Sequence, residues 1–286
     1  MAEEDYSKAA ELMNAVKVTG GESESIKDLS ALENQVTILL NGVVVTAQVA
    51  TISNLDELGA GYVITEGLCK DIKSVKTDAG TNTVYVTSDS VTENFTKIKD
   101  KTAVTQTGTS GGIEYTDGAG SKSGSSKSGS SKSGSLSDAG VSRVIDSDID
   151  IEIENIYRAT KEIISDLWTK TGGVHCSVLF REGGEIVAVM TDVGRHNTVD
   201  KVVGSAILNG IDLSRCFLGC TGRQPYGMVK KCMNAGIPII ISKAASTADG
   251  IRLARKSGTT LICFARGERF TIYSNPQRVR GVNAKL

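Results

Sequence analysis

The sequence predicts an α/β protein in which at least part of the sheet is parallel, and three observations carry that reading. From Cys216 onward an apolar run, a loop of small and basic residues and a helical pattern follow one another repeatedly. The runs Cys216–Cys220, Ile237–Ile241 and Thr259–Phe264 have the length and apolar character of buried strands. Helix punctuation separates them. Pro225 opens a helix with Met228, Val229, Cys232 and Met233 inward, Gly236 closes it and Pro238 prevents its continuation, while Thr247 caps a second helix that ends at Gly258.

The upstream elements follow from similar signals. Residues 1–34 read as a weak helix and a polar lead. Residues 35–115 form a smaller, β-rich N-terminal region: Gln35–Ile52 is rich in Val, Ile, Leu and Thr, with Asn41-Gly42 as a two-residue hairpin turn. Leu55–Leu68 reads as a helix with Asn54 as N-cap, and Val75–Phe95 as further strands around Asp78-Ala79-Gly80. Residues 116–142 are a flexible Ser/Lys/Gly linker, native or introduced, with three perfect copies of Ser-Lys-Ser-Gly-Ser at 121–135. Residues 143–286 form the C-terminal α/β domain. Within it Ile156, Ala159, Ile163, Ile164 and Leu167 mark one helix face. Val174–Phe180 and Ile186–Met190 pair through Glu182-Gly183-Gly184, and Val199, Val202, Val203, Ala206 and Ile207 mark a helix ending near Gly210.

Composition narrows the function classes. No stretch approaches the ~20 apolar residues of a membrane span, and the acidic start Met-Ala-Glu-Glu-Asp is unlike a signal peptide, so a cytoplasmic location is expected. The six cysteines are then reduced, and their spacing fits no zinc site. Net charge is −1, yet residues 1–100 hold 8 Lys, no Arg and 16 acids, whereas residues 201–286 hold 14 Lys plus Arg and 3 acids. All twelve arginines lie from Arg143 onward. Such a half suits a phosphorylated ligand, an acidic partner or a solvated face; no stacking pattern or reading helix favours nucleic acid.

Residues 171–204 concentrate the chemistry. Both histidines, His175 and His196, fall there, with Asp192, Arg195, Asp200 and Lys201. In a parallel sheet the loops after the strands gather on one edge, which brings Arg195, His196, Arg223, Lys243, Arg266 and Arg269 together. That convergence points to an anionic, phosphate-bearing ligand. Asp192 reads either as a helix cap or as the residue orienting His196, and Asp200 with Lys201 as a solvated pair or as part of the site.

Several stretches resemble the formate dehydrogenase accessory sulfurtransferase family, FdhD/NarQ. They are Leu55-Asp-Glu-Leu-Gly-Ala-Gly-Tyr with Glu66-Gly67, Thr171-Gly-Gly-Val-His175, Asp192-Val-Gly-Arg-His-Asn-Thr-Val-Asp-Lys201, Gly222-Arg223, Met228-Val-Lys, Leu261–Arg269, and Tyr273 with Pro276-Gln-Arg278. The resemblance runs from about Gln35 to Arg280. It implies a three-layer α/β/α fold with a mixed sheet, similar to cytidine deaminase, and a homodimer. It further implies binding of the molybdenum bis-molybdopterin guanine dinucleotide cofactor, of which GDP is a fragment, and transfer of sulfur to it from a cysteine desulfurase before insertion into the formate dehydrogenase apoenzyme. The resemblance makes His175 a ligand contact and links the stretch Phe264, Ala265, Arg266, Gly267, Glu268 and Arg269 to the cofactor.

One departure bears on mechanism. The family carries a Cys-x-x-Cys loop between its halves; here the matching stretch is Thr107-Gly-Thr-Ser-Gly-Gly-Ile, with Ser110 near the first cysteine position. A serine hydroxyl cannot hold a persulfide. Cys220, beside the Arg223 loop, reads as core or as a substitute sulfur carrier, while Cys176, Cys69, Cys232 and Cys263 read as core. Two functions stand: a sulfuration protein, or a cofactor-binding or regulatory module of the same ancestry without sulfur transfer. Deaminase chemistry is set aside, because no Cys-x-x-Cys accompanies a His.

Overall fold

The computed structural model describes residues 7–99 and 143–283. Ser110, its surrounding loop and the Ser-Lys-Ser-Gly-Ser repeats lie outside the described residues. The chain begins with an antiparallel ribbon, β1 (Ala10–Thr19) and β2 (Glu22–Ala31), reversed at Gly20 and Gly21, both at positive φ. The expected N-terminal helix is therefore corrected. Leu12 and Val16 have helical spacing, but they also lie two strand periods apart, and the β-branched Val16, Val18 and Thr19 before a Gly-Gly turn favour the strand.

A four-stranded sheet follows, in the order β4 (Val43–Ala50), β3 (Asn34–Leu40), β6 (Thr83–Thr87), β5 (Ser74–Asp78). Asn41 and Gly42 both take left-handed φ, as the hairpin signal requires. Between β4 and β5 lies α1 (Leu55–Thr65), whose N-cap Asn54 is left-handed and makes no capping hydrogen bond. Phe95, expected at the end of a strand, sits instead in a short helix, α2 (Glu93–Lys99).

After β7 (Ile151–Glu152) the apolar face expected over Ile156–Leu167 divides into α3 (Ile153–Glu162) and α4 (Asp166–Thr171). The division has a local cause: the Ser165 hydroxyl accepts the Trp168 N–H and starts a new helix. The main sheet then forms from β8 (His175–Arg181), β9 (Ile186–Asp192), β10 (Cys216–Cys220), β11 (Ile239–Ser242), β12 (Thr260–Arg266) and β13 (Arg269–Ser274). Its order is β13-β12-β11-β10-β8-β9. The central β10, β11 and β12 run parallel, while β8, β9 and β13 are antiparallel to their neighbours, so the sheet is mixed. A last strand, β14 (Val279–Arg280), pairs with β7.

Helices cover both faces of the main sheet. Leu218, Ile240, Leu261 and Cys263 point to the side of α5 (Arg195–Leu208), α6 (Tyr226–Ala235) and α7 (Ala248–Ser257). Phe217, Ile239, Ile241 and Ile262 point to the side of α3. Strands buried on both faces explain the continuous apolar runs. The four-stranded sheet lies beyond the helical layer, with α1 between it and α5, and all of these elements share one hydrophobic cluster. Helices α1 and α5 cross with their backbones in contact: a Cβ at Gly61 would lie 1.7 Å from the Asp200 carbonyl oxygen, and one at Gly204 1.9 Å from that of Glu57. Only glycine at both positions permits this approach, and it brings the N-terminal region against the start of α5.

Candidate functional site

The start of β8 and the ends of β9, β10, β11 and β12 meet on one sheet edge, because β8 runs antiparallel to β10 and pairs His175 with Asp192 of β9. The loops are tied into a frame by backbone bonds: Thr221 N–H to Cys176 O at 3.0 Å, Lys243 N–H to Cys220 O at 3.0 Å, and Phe264 N–H to Ala244 O at 3.0 Å. A cleft of about 600 Å³ opens there, lined by Thr160, Trp168, Gly172, Gly173, Val174, His175, Thr221, Lys243, Ala244, Arg266 and Gly267. Among the described residues, no carboxylate lines it. His175 Nδ1 lies 3.1 Å from the Thr221 hydroxyl, which also accepts the Cys176 N–H. Burial, reinforced by Arg195, holds His175 below the ordinary histidine range, so at neutral pH it is an uncharged hydrogen-bonding group. Burial, with Arg266 adding to it, also lowers Lys243.

The structure thus lines one cleft with His175, Lys243, Arg266 and Gly267; Arg195 lies close enough to act on His175, and the remaining expected residues are not in the lining. Phe264 and Arg269 border a smaller cavity of about 270 Å³ with Phe270 and Thr271. Phe264 is 42% exposed and left-handed at φ 53, an uncommon backbone state for an aromatic residue, fixed by its bond to Ala244. Glu268 and Arg223 are exposed. Ala265 is fully buried in the α3-side core, so it is a packing residue and not a ligand contact. Trp168, Thr160 and Gly172 were not among the expected site residues. The available signal was that Trp168 is the only tryptophan of the chain and stands four residues before Gly172-Gly173.

Asp192 is neither the helix cap nor the orienting group for His196. It is wholly buried; its Oδ2 takes the Lys201 ammonium at 2.7 Å and the Thr51 N–H at 3.1 Å, and its Oδ1 takes the Gly194 N–H and the Asn197 amide, both at 2.8 Å. Gly194 is the N-cap of α5. Asp192 therefore shapes the turn that carries Arg195 and His196, with both carboxylate oxygens taken by protein donors. Asp200 and Lys201 are likewise not a solvated pair: both are fully buried, and Asp200 pairs with Lys231 at 2.9 Å and accepts the Thr65 hydroxyl at 2.5 Å. Burial raises Asp200 to about 6 against the opposing pull of Lys231. Lys231 itself is held above its usual range, since Asp200 and Glu66 outweigh its burial.

His196 is 3% exposed, and burial, with Lys231, Arg195 and His175 adding to it, depresses its pKa to about 3. It is a neutral imidazole at every physiological pH. Its Nδ1, the Arg195 Nε and the Gln224 Oε1 are buried without a hydrogen-bond partner among the described residues, and such atoms are costly unless something meets them. Cys220 is fully buried with its thiol pushed up to about 12, and its sulfur accepts the Gln224 amide at 3.0 Å. This burial supports the core reading of Cys220 over that of a sulfur carrier, because the thiolate is the nucleophile and needs exposure and a low pKa. Cys176 is core, as expected, with its thiol at about 12. A larger cavity, about 740 Å³, opens at Gly67, Lys70, Arg143 and Asn234; it holds none of the histidines or loop arginines.

The depressed His196 pKa has a consequence for stability. The unfolded chain binds a proton at this residue below about pH 6.5, whereas the folded chain does not until about pH 3, so stability is lost as pH falls through that window. From pH 6.5 to 5 the loss due to His196 is about 2 kcal/mol. His196→Gln is expected to unfold in urea with a correspondingly shallower decline over this range; a decline as steep as in the parent chain would contradict a neutral, buried His196.

The sequence pattern of the FdhD/NarQ family matches residues 31–280. The sulfur carrier protein FdhD of Wolinella succinogenes is 33% identical over 260 residues, covering 88% of this chain and 83% of that one. The protein of that name from Methanothermobacter thermautotrophicus is 39% identical over 137 residues, 47% of this chain and 54% of its own length. The crystal structure of a protein assigned as a formate dehydrogenase accessory protein, from Desulfotalea psychrophila, superposes with a TM-score of 0.70 at 24% identity, covering 95% of this chain and 99% of that one, which shows the fold. With the family pattern spanning both sheets and the whole of the loop edge, the chain belongs to the FdhD/NarQ family.

Proposed function

We propose that this protein is a formate dehydrogenase accessory protein that binds the molybdenum bis-molybdopterin guanine dinucleotide cofactor and supports its sulfuration before insertion into the apoenzyme. The observation that carries the reading is the cleft at His175: Lys243 and Arg266 on its rim, no carboxylate in its lining, and neutral hydrogen-bonding groups from His175 and Thr221. The buried, unpartnered Arg195 Nε and His196 Nδ1 on the same edge suit an anion better than a neutral ligand. A cleft of about 600 Å³ has room for one nucleotide-sized group, so two nucleotide arms call for two clefts, which a homodimer supplies. When bound, the cofactor supplies the metal centre that takes the sulfur. The chain's own residues hold its phosphates: Lys243 and Arg266 as cations, His175 and Thr221 as orienting groups, and Trp168, 41% exposed, as an apolar wall.

The mixed six-stranded sheet between helical layers supports a kinship of fold with cytidine deaminase, and the described part of the smaller N-terminal region, residues 35–99, serves the C-terminal cofactor domain by bracing α5. Six unpaired cysteines suit the cytoplasm, where thiols remain reduced. The partners in this reading are a cysteine desulfurase and the formate dehydrogenase apoenzyme. GDP serves as the probe. It is expected to bind the full chain, with Lys243→Ala and Arg266→Ala each weakening it about tenfold in a calorimetric titration, the loss of one charge-assisted contact. Affinity unchanged in both variants would remove the cleft from the proposal.

A specific observation favours a second reading, in which the protein holds or delivers the cofactor without carrying sulfur itself. All six cysteines are buried, and burial raises the thiol of every one, to about 11 for Cys69 and Cys216 and about 12 for Cys263. Incubation with a cysteine desulfurase and cysteine, read by intact mass, separates the two readings. No gain of sulfur mass is expected if the chain is only a cofactor holder; a gain that reductant removes would establish sulfur carriage.

A further inference from the structure

The ribbon β1–β2 has no counterpart in the site chemistry, and its physical state calls for explanation. Among the described residues its apolar packing is at its root, where Ala10, Leu29 and Ala31 meet Leu167, Val174 and Val193. Residues 11–25 are exposed along their whole length, including Leu12 at 61%, Val16 at 66% and Val18 at 66%. A two-stranded ribbon is marginal by itself in water. Its two outer edges also differ in protection. β2 (Glu-Ser-Glu-Ser-Ile-Lys-Asp-Leu-Ser-Ala) carries four charges, the kind of blocking that keeps an edge from pairing. β1 (Ala-Glu-Leu-Met-Asn-Ala-Val-Lys-Val-Thr) carries two charges and no proline, and among the described residues its outer edge pairs with no other strand.

The geometry points to the β1 edge of a second copy of this chain as its occupant: we propose that β1 pairs antiparallel with its own twin about a twofold axis at Asn14. An axis normal to the sheet keeps each face on its own side, so residues i and 28−i stand opposite one another. Leu12 then meets the partner's Val16, Met13 meets the partner's Ala15, and Glu11 meets the partner's Lys17, each twice by symmetry. The neighbouring symmetric registers are poorer: an axis at Ala15 sets Met13 against Lys17, and one at Met13 sets Leu12 against Asn14. Charge and apolar matching thus select one register. The result is a four-stranded sheet, β2-β1-β1-β2, with its exposed Leu and Val side chains in cross-strand pairs. Each ribbon root touches the cleft rim, where Ala31 lies against Gly173, so the same sheet ties the two clefts together.

This proposal rests on the homodimer in the functional reading, and sedimentation equilibrium of the full chain tests it separately from ligand binding. The parent chain is expected to be a dimer at tens of micromolar. Lys17→Glu is expected to weaken association about tenfold, by turning two attractive pairs into repulsive ones, and adding Glu11→Lys to it should restore the dimer. Asn14→Cys should give a covalent dimer on mild oxidation, reversed by reductant, since the other cysteines are buried. A monomer at these concentrations, a dimer indifferent to Lys17→Glu, or no cross-link at Asn14→Cys would overturn it. GDP titration of the weakened variant should be unchanged, so loss of the dimer and failure of the cleft are told apart.

Discussion

The structure turns on the buried ion pair between Asp192 and Lys201. Neither side chain is exposed, and every polar atom of the pair is met: Lys201 also donates to the Thr51 and Thr191 carbonyls, and Asp192 accepts from Thr51, Gly194 and Asn197. Such a pair contributes little net stability compared with apolar residues of the same size, but losing one partner costs about 3–5 kcal/mol. What it secures is geometry. Thr51 at the end of β4 is fixed to the end of β9, and the turn into α5 is fixed with it. Asn197 adds a bond to the Val49 carbonyl. Two helical turns further, Asp200, Lys231, Thr65 and Glu66 repeat the arrangement between α1, α5 and α6. The Asp-Val-Gly-Arg-His-Asn-Thr-Val-Asp-Lys segment is thus largely a scaffold, with Arg195 as the group it delivers to the edge.

This explains what could be read in the sequence and what could not. Elements from β8 onward are legible because Gly and Pro mark their ends and the runs of β8, β10, β11 and β12 are buried on both faces. The convergence of Lys243 and Arg266 was legible for a topological reason: parallel strands put their following loops on one edge. The roles of Asp192, Asp200 and Lys201 were not, because their partners Thr51, Thr65 and Lys231 lie far away in the chain, and no local pattern distinguishes a solvated charge from a buried one. The ribbon was misread because Leu12 and Val16 satisfy helical and strand periods alike. The state of Cys220 stays open in the sequence for a related reason: the sequence places it beside a basic loop, whereas the depth of the strand end decides its ionisation.

The charge asymmetry acquires a structural meaning as well. Among the described residues, no carboxylate of the acidic N-terminal half lines the cleft; Thr65 and Glu66 bind Lys231 behind the loop edge. Lys243 and Arg266 therefore face the cleft without a carboxylate among the described residues that line it. The histidines contribute no charge, since burial keeps both below the ordinary range. In the proposed function, attraction for an anion would come from the loop cations, and orientation from neutral hydrogen-bonding groups set by the backbone frame.

Amide hydrogen exchange with and without GDP locates the ligand most directly. Binding at the loop edge should slow exchange at residues 172–176, 221–224, 243–246 and 264–267, the segments around the cleft. Protection confined instead to residues 64–70 and 234–236, which line the larger cavity, would place the nucleotide elsewhere and contradict the cleft as its site.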